Sequence, residues 1–180
     1  MESRPLLFVI TGIMAAGKSS VAEALAERFD RSVHLRGDMF RRSVVSGRVD
    51  MSSNPSAEAT DQLRLRYELA AMCADRYVEA GFVTVVQDVI LGPTLIDVID
   101  MFKTRPLALV VLAPTPQAVA DRERDRVKVG YRNFSPVLLD TELRERTPRL
   151  GLWIDTTDMA VDATVQHILD HQDEAMIDIT

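Results

Sequence analysis

The chain has 180 residues, which is enough for one domain with a sizeable core. Its net charge of −6 is spread along the sequence, unlike the clustered basic surface typical of nucleic-acid binding, although an acidic protein of this kind can still carry a local basic groove for phosphates. The single cysteine excludes an internal disulfide, and no apolar run approaches the length of a membrane span. With a polar start that resembles no signal peptide, we expect a cytoplasmic protein that binds neither nucleic acid nor membrane. Monomer and homo-oligomer both stay open.

The first predicted elements enclose a phosphate-binding motif. An apolar run near 6–11 predicts a strand, and helical spacing follows from Val21 to Phe29. Between them, residues 12–19 read Gly-Ile-Met-Ala-Ala-Gly-Lys-Ser and match G-x-x-x-x-G-K-[ST]. This motif requires a strand before it and a helix after it, and both are predicted here. The stretch therefore predicts a loop that binds the phosphates of a nucleoside triphosphate.

The residue types of this loop suit phosphate chemistry. Glycine and alanine let backbone N–H groups crowd around phosphate oxygens, and the following helix adds the positive end of its dipole. We expect Lys18 to reach the β- and γ-phosphates and Ser19 to bind Mg²⁺. The predicted nucleotide contacts are consecutive along the chain: Gly12, Ile13, Met14, Ala15, Ala16, Gly17, Lys18, Ser19 and Ser20.

Four more apolar runs predict further strands near 32–36, 82–88, 107–112 and 150–154. Helical patterns separate them, at about 57–80, after Thr115-Pro116, and from Val161 to Leu169. Alternating strands and helices predict an α/β fold, with three layers and a five-stranded parallel sheet in a single domain over residues 1–180. In such a sheet, ligands bind beyond the carboxyl ends of the strands, so site residues should follow each strand.

Two carboxylates follow predicted strands. Asp38 comes after the short second strand, where it could accept the proton of an acceptor hydroxyl or cap the helix that follows. Asp88 ends the third strand as in a Walker-B segment, whose carboxylate holds Mg²⁺ directly or through water. The sequence does not separate Asp38 from Asp88 as the catalytic base.

An arginine-rich stretch at about 121–133 predicts a lid. Guanidinium groups suit developing phosphoryl charge, and we favour Arg122 and Arg126, one helical turn apart, as catalytic and nucleotide-binding residues. A solvated helix face is the alternative. Thr156, after the last strand, either contacts the adenine or caps the final helix. Four more arginines contact the acceptor or its phosphate, or merely cover a surface: Arg41, Arg42, Arg64 and Arg66.

Together these motifs resemble the chloramphenicol phosphotransferase-like proteins, small P-loop kinases related to shikimate kinase, gluconate kinase and the zeta toxins. The matching pieces span most of the chain: residues 12–19, Gly37-Asp38, 86–92, 122–126 and 155–157. The resemblance implies a five-stranded parallel core, ATP with Mg²⁺, and transfer to a small-molecule hydroxyl. It also implies that Asp38 stands at the position of the catalytic base. Gln87 replaces the first acidic residue of the family's Asp-Asp-Val.

The sequence therefore predicts an ATP-dependent kinase acting on a small-molecule hydroxyl, with an antibiotic such as chloramphenicol as one candidate acceptor. The acceptor-binding region should lie at about 38–66, where the family pattern gives no match. A kinase for a nucleotide, metabolite or sugar nucleotide is the first alternative. A nucleotide-dependent switch with a protein partner is the second, although Asp38 and the arginine-rich lid favour a kinase.

Overall fold

The computed structural model describes residues 6–124 and 135–177. Six strands form one sheet: β1 (Leu7–Gly12), β2 (Ser32–Arg36), β3 (Val83–Gln87), β4 (Leu107–Leu112), β5 (Leu152–Ile154) and β6 (Met176–Ile177). The helices are α1 (Lys18–Ala26), α2 (Asp38–Ser43), α3 (Ala57–Glu79), α4 (Thr94–Asp100), α5 (Pro116–Arg124), α6 (Pro136–Thr141), α7 (Val161–Asp170) and α8 (Gln172–Ala175). A π-helical turn, Glu142–Arg146, follows α6 directly.

Five parallel strands form the body of the sheet in the order β2-β3-β1-β4-β5. This confirms the predicted α/β fold with a five-stranded parallel sheet flanked by helices. The short strand β6 was not predicted, and it pairs antiparallel with the start of β4. Two residues are too few to show a period-2 pattern, so β6 leaves no recognisable signal in the sequence.

The central strands are almost entirely apolar because both of their faces are covered. Every residue of β1 and β4 is buried, as continuous apolar runs in a parallel sheet require. The edge strand β2 is only partly buried, which explains its mixed sequence Ser-Val-His-Leu-Arg. The core is therefore centred on β1 and β4, and the loop that leaves β1 starts from a fully buried strand.

The long helix α3 confirms the helix predicted at about 57–80. Ser56 caps its start, since the hydroxyl accepts a hydrogen bond from the backbone N–H of Ala59 at 3.1 Å. The shorter α4, α6 and α8 were not predicted. Each spans seven residues or fewer, too short to show a helical period clearly.

Candidate active site

The carboxyl ends of β2, β3 and β1 bring three predicted site segments side by side. The backbone N–H of Gly37 donates to Gln87 O at 3.0 Å, and that of Asp88 donates to Ile10 O at 3.2 Å. Asp88 therefore lies between the segment of Asp38 and the phosphate loop. Neighbouring strands are about 5 Å apart, so the segment of Asp38 leaves the sheet about 10 Å from the phosphate loop.

The phosphate loop takes its shape from backbone geometry. Gly12 has φ +146°, and a Cβ there would lie 2.5 Å from the carbonyl oxygen of Leu112 on β4. Ala15 and Gly17 adopt left-handed backbone angles, with φ of 62° and 97°. Alternating backbone conformations of this kind turn successive N–H groups toward one concave surface, which suits an anion. Residues 12–17 are all buried or half-buried, so the loop lies against the core.

The side chain of Lys18, the first residue of α1, lies inside this loop. Its side-chain ammonium donates to the carbonyl oxygens of Gly12 at 2.9 Å and Ile13 at 2.7 Å. Ser19 and Ser20 follow in the first turn of α1, where Ser19 is half-buried and Ser20 is exposed. Helix α1 starts at Lys18, so its N-terminal N–H groups face the same loop. The predicted lysine and serine thus share one site with the phosphate-binding backbone.

Arg122 joins the phosphate loop to the end of β5. Its guanidinium donates to Thr156 O at 2.5 Å, to Thr157 O at 3.3 Å and to Ala16 O at 3.4 Å. Thr156 is 3% exposed, and its side-chain oxygen has no hydrogen-bond partner among the described residues. An unpaired hydroxyl at this depth fits a nucleotide contact. Arg126, the second predicted lid arginine, lies outside the described residues.

The segment after β5 is fixed to the segment after β4. Thr157 accepts a hydrogen bond from the backbone N–H of Thr115 at 2.8 Å, and its hydroxyl donates to Asp155 at 2.6 Å. The Thr157 hydrogen bonds lower the pKa of Asp155. Arg144, on the π-helical turn, donates to Pro114 O at 2.7 Å. Arg144 was not predicted as a site residue, because its contact depends on a π-helical turn that was not predicted either.

Asp38 begins α2 and lies at the edge of the site with its side chain 34% exposed. One carboxylate oxygen accepts from Nε of Arg41 at 2.8 Å, and the other accepts from Nε of Arg42 at 2.5 Å. Burial raises the pKa of Asp38, but the two guanidinium groups outweigh burial and the net pKa lies below the ordinary value. The carboxylate is therefore ionised at neutral pH.

Asp88 is held by Arg66 of α3. The Asp88 side chain is 2% exposed, and both of its oxygens accept from the guanidinium of Arg66, with the Nε–Oδ2 distance 2.7 Å. Burial lowers the pKa of Arg66, which still stays charged because arginine titrates far above neutrality. Nη1 of Arg66 also lies 3.9 Å from Asp38, so one guanidinium links the two carboxylates.

Gly37 makes this arrangement possible. A Cβ at Gly37 would lie 1.8 Å from an Asp88 carboxylate oxygen, so any larger residue would displace that side chain. The glycine of the Gly37-Asp38 pair is thus required by a close approach of the neighbouring strand end. Its own φ of −56° is one that every residue adopts.

The segment after β3 is fixed by side chains from three directions. Tyr67 donates from its hydroxyl to Val89 O at 2.7 Å, and burial raises the pKa of Tyr67 to about 12. Thr11 of β1 exchanges hydrogen bonds with the backbone of Ile90 at 2.8 and 2.9 Å. The hydroxyl of Thr147 accepts from the N–H of Gly92 at 2.7 Å. Asp88 therefore begins a segment whose backbone is held by side-chain hydrogen bonds from α3, β1 and Thr147.

The predicted acceptor region folds back toward Asp38. Arg41 reaches Asp50 at 2.6 Å as well as Asp38, so it ties the loop 44–56 to α2. Gln62 of α3 accepts from Val49 N at 2.9 Å and donates to Gly47 O at 2.8 Å. These contacts join α2, the loop and α3 into one wall. Asp50 and Gln62 were missed at the sequence level, because neither belongs to a recognisable motif.

The magnesium prediction agrees with the kinds of ligand near the loop. Among residues 6–124 and 135–177, no group of three or more histidine, cysteine or acidic side chains is arranged to hold a metal ion. Mg²⁺ is commonly held by one or two protein oxygens together with substrate phosphates and water, so the hydroxyl of Ser19 beside the phosphate loop fits. Both carboxylate oxygens of Asp88 accept hydrogen bonds from Arg66, so of the two predicted modes of Mg²⁺ binding, contact through water fits this geometry better than direct coordination.

Two further features of the described residues concern a surface depression and the lengths of the helices. A shallow depression of about 370 Å³ is lined by Arg64, Asp97, Asp100 and Met101. Only Arg64 was among the weaker acceptor candidates, so we assign the depression no role. No helix in the described ranges combines the length and apolar character needed to cross a bilayer.

The fold and site together define a P-loop protein. The model of the AAA domain family matches residues 7–146, so the chain belongs to that family. The matched range runs from β1 through the π-helical turn and includes the phosphate loop, Asp38 and Asp88. No curated protein matches the sequence significantly.

Solved structures with this fold include several small kinases. A gluconokinase from Sinorhizobium meliloti 1021 is 20% identical, with a TM-score of 0.65 over 94% of this chain and 92% of the other. The Mycobacterium tuberculosis APS kinase in complex with AMPPNP and APS is also 20% identical, with a TM-score of 0.65 and coverage of 93% and 96%. The Deinococcus radiodurans tunicamycin resistance protein is 18% identical, with a TM-score of 0.66 and coverage of 98% and 100%.

These similarities show the fold. They do not confirm the chloramphenicol phosphotransferase-like subfamily. The three neighbours differ in what their names say they act on or resist. The acceptor must therefore be argued from this chain's own residues.

Proposed function

We propose that this protein is an ATP-dependent kinase that transfers the γ-phosphoryl group of ATP to a hydroxyl of a small molecule. One observation carries the proposal. A phosphate-binding loop and an ionised, half-exposed carboxylate, Asp38, leave the same edge of the sheet two strands apart. The APS kinase neighbour holds AMPPNP, an ATP analogue, which supports ATP as the donor.

Asp38 serves better than Asp88 as the residue that receives the acceptor hydroxyl. Asp88 is buried, and Arg66 occupies both of its carboxylate oxygens. Arg41 and Arg42 also donate to both oxygens of Asp38, but the Asp38 side chain is 34% exposed, so an alcohol has access to it. Its lowered pKa makes it a weak base, but phosphoryl transfer through a loose transition state depends mainly on positioning and charge stabilisation.

The chain's own residues account for each part of the transfer. Asp38 orients the hydroxyl and accepts its proton as the hydroxyl oxygen bonds to the γ-phosphorus. The bond from that phosphorus to its bridging oxygen breaks, and the electron pair leaves with ADP. Lys18 and Arg122 stabilise the negative charge on the phosphates, and Thr156 contacts the nucleotide. The hydroxyl of Ser19 would hold Mg²⁺, which would supply further charge neutralisation when bound.

An antibiotic acceptor is one form of this proposal. The tunicamycin resistance protein has the same fold at 18% identity, and its name concerns resistance to an antibiotic. The gluconokinase and APS kinase names point to metabolites instead. Chloramphenicol therefore belongs in an acceptor panel beside sugars, sugar acids and nucleosides.

The test compares binding with transfer in one variant. Calorimetry with MgATP should show binding to the wild-type protein and to Asp38→Asn with affinities within about threefold, because Asp38 lies on the acceptor side. Acceptor-stimulated ADP formation should fall by about 100-fold or more in Asp38→Asn. Equal transfer by both proteins would remove Asp38 from the reaction. A wild-type protein that does not bind MgATP would contradict the proposal as a whole.

A nucleotide-dependent switch is the second candidate, and the same fold family supports it because AAA domains are nucleotide-binding units. Such a protein would hydrolyse ATP slowly without any acceptor and would bind a protein partner in only one nucleotide state. Asp38 and its arginines favour the kinase, since they place an accessible carboxylate and guanidinium groups on the acceptor side of the phosphate loop. Acceptor-independent hydrolysis that no panel compound stimulates would favour the switch.

A further inference from the structure

One network of ion pairs on the acceptor side of the site contains more positive than negative side chains. Four guanidinium groups and three carboxylates form one connected network of ion pairs within the described residues: Arg41, Arg42, Arg48 and Arg66 with Asp38, Asp50 and Asp88. The network carries one surplus positive charge, although the whole chain carries −6. A local excess of arginine on an acidic protein needs a separate explanation.

The contacts show where the surplus lies. Arg66 is spent on buried Asp88, and Arg41 is fixed between Asp38 and Asp50 at 2.8 and 2.6 Å. Arg48 lies 3.6 Å from Asp50, which it shares with Arg41. Within the described residues, the Arg42 side chain makes its hydrogen bond to Asp38 through Nε and not through its terminal nitrogens. The side chain is 60% exposed. The two terminal nitrogens of Arg42 are therefore available to a ligand.

Arginine suits one kind of ligand above others. Its planar fork presents paired N–H donors that match the oxygens of a carboxylate, sulfate or phosphate. Arg42 donates to Asp38 through Nε. An anion bound by the terminal nitrogens of the same guanidinium would therefore lie close to an acceptor hydroxyl that is hydrogen-bonded to Asp38. The same anion would neutralise the surplus charge of the network.

We propose that the acceptor is a small alcohol that carries an anionic group, a carboxylate, sulfate or phosphate, and that Arg42 binds this group while Asp38 orients the hydroxyl. The inference rests on the proposed kinase function and narrows its substrate class. Arg42 is a specificity-determining residue in this arrangement. Arg41, fixed between two carboxylates, positions Asp38.

The experiment uses matched pairs of acceptors that differ in the anion. ADP formation by the full-length protein is measured with D-gluconate against sorbitol, ribose 5-phosphate against ribose, and a sugar sulfate against the same sugar without the sulfate. We expect stimulation by at least one anionic member and at least tenfold less by its neutral partner. Chloramphenicol serves as a further neutral alcohol.

Variants then assign the preference to a residue. Arg42→Gln should raise KM for the anionic acceptor by about 10- to 100-fold, leave KM for ATP within about twofold, and leave the melting temperature nearly unchanged. Arg42→Lys should recover part of the loss, since it restores the charge without the fork. Arg76→Gln, on the exposed end of α3 with its side chain 81% exposed, is the matched control and should behave as wild type.

The outcomes distinguish a failure of the anionic-acceptor proposal from a failure of the proposed kinase function. Equal or better use of the neutral members overturns the anionic acceptor and leaves the kinase intact. An unchanged KM in Arg42→Gln also overturns it, because recognition would then lie elsewhere. If MgATP binds and neither class of acceptor stimulates turnover, both the kinase and the anionic acceptor are contradicted.

Discussion

The two halves of the site are built in different ways. On the nucleotide side, the loop after β1 depends on backbone angles at Gly12, Ala15 and Gly17 and lies against buried strands. On the acceptor side, the wall of α2, the loop 44–56 and α3 depends on ion pairs between half-exposed side chains. A backbone cradle binds the part of the substrate that every ATP has in common. A side-chain wall can change its specificity through single substitutions without disturbing the fold.

This contrast predicts different consequences for substitutions on the two sides. A side chain on the nucleotide side that acts on the reacting phosphates should affect every acceptor equally. A side chain in the buried part of the acceptor wall should affect folding. An exposed pair nearby should affect almost nothing.

Lys18→Ala gives the largest expected effect. Loss of the ammonium removes charge stabilisation from the phosphates, and we expect kcat to fall about 1,000-fold with every acceptor. Steady-state ADP formation measures this, and circular dichroism checks that the fold is retained. Lys103→Ala is the matched control, because Lys103 is exposed and lies outside the site. A fall of less than tenfold would show that the backbone loop alone suffices.

The buried pair on the acceptor side gives the next largest effect. Asp88→Asn leaves the guanidinium of Arg66 buried without its charge partner, and we expect the free energy of unfolding to fall by about 3 kcal/mol. Arg66→Leu should cost a similar amount. The double variant should cost clearly less than the sum of the two. Urea unfolding without Mg²⁺ measures all three.

The two single variants and the double variant form a double-mutant cycle. Additive losses of unfolding free energy in this cycle would mean that Asp88 and Arg66 do not interact energetically. If, instead, Asp88→Asn unfolds like wild type and only weakens Mg²⁺-dependent nucleotide binding, Asp88 acts as the metal ligand that the sequence predicts. The cycle thus decides between a structural anchor and a Walker-B carboxylate.

The same contrast explains how far the sequence could be interpreted. The phosphate loop, the five parallel strands and α3 are local features, so their residues are neighbours in the chain and leave a motif or a period. The partner of Asp88 is Arg66, 22 residues away on another element, and Arg122 meets Ala16 across 106 residues. No spacing rule links such residues, because the contact exists only after the sheet has assembled.

Asp88 shows the limit most clearly. Its place at the end of β3 was predicted correctly, and the residue type allowed metal binding or base catalysis. The structure adds the neighbour that decides what the carboxylate is available for. Asp38, Lys18, Ser19 and Arg122 all lie at the predicted edge, but their catalytic and binding roles stay predictions until they are measured.

Tyr67→Phe gives a smaller effect with a specific pH dependence. Its hydroxyl bonds to Val89 O, so its removal should cost about 1 kcal/mol at neutral pH. The pKa of Tyr67 is raised to about 12 in the folded state, so the hydroxyl favours folding below pH 10. Between pH 10 and 12, the unfolded chain ionises this group and the folded chain does not, so wild type loses stability relative to Tyr67→Phe. Urea unfolding of both proteins at pH 8 and pH 11 measures the change, and a constant difference between them would contradict it.

The smallest effect belongs to an ion pair whose two residues flank Arg66 on α3. Arg64 and Glu68 of α3 lie 2.9 Å apart, close to ideal spacing, but their side chains are 71% and 42% exposed. Water screens this pair and competes for its hydrogen bonds, so we expect Glu68→Gln to change the free energy of unfolding by less than about 0.5 kcal/mol. Urea unfolding beside Asp88→Asn provides the comparison on one helix. A loss above 1 kcal/mol from Glu68→Gln would show that exposed charges also support the acceptor wall, and that burial is not what distinguishes Arg66.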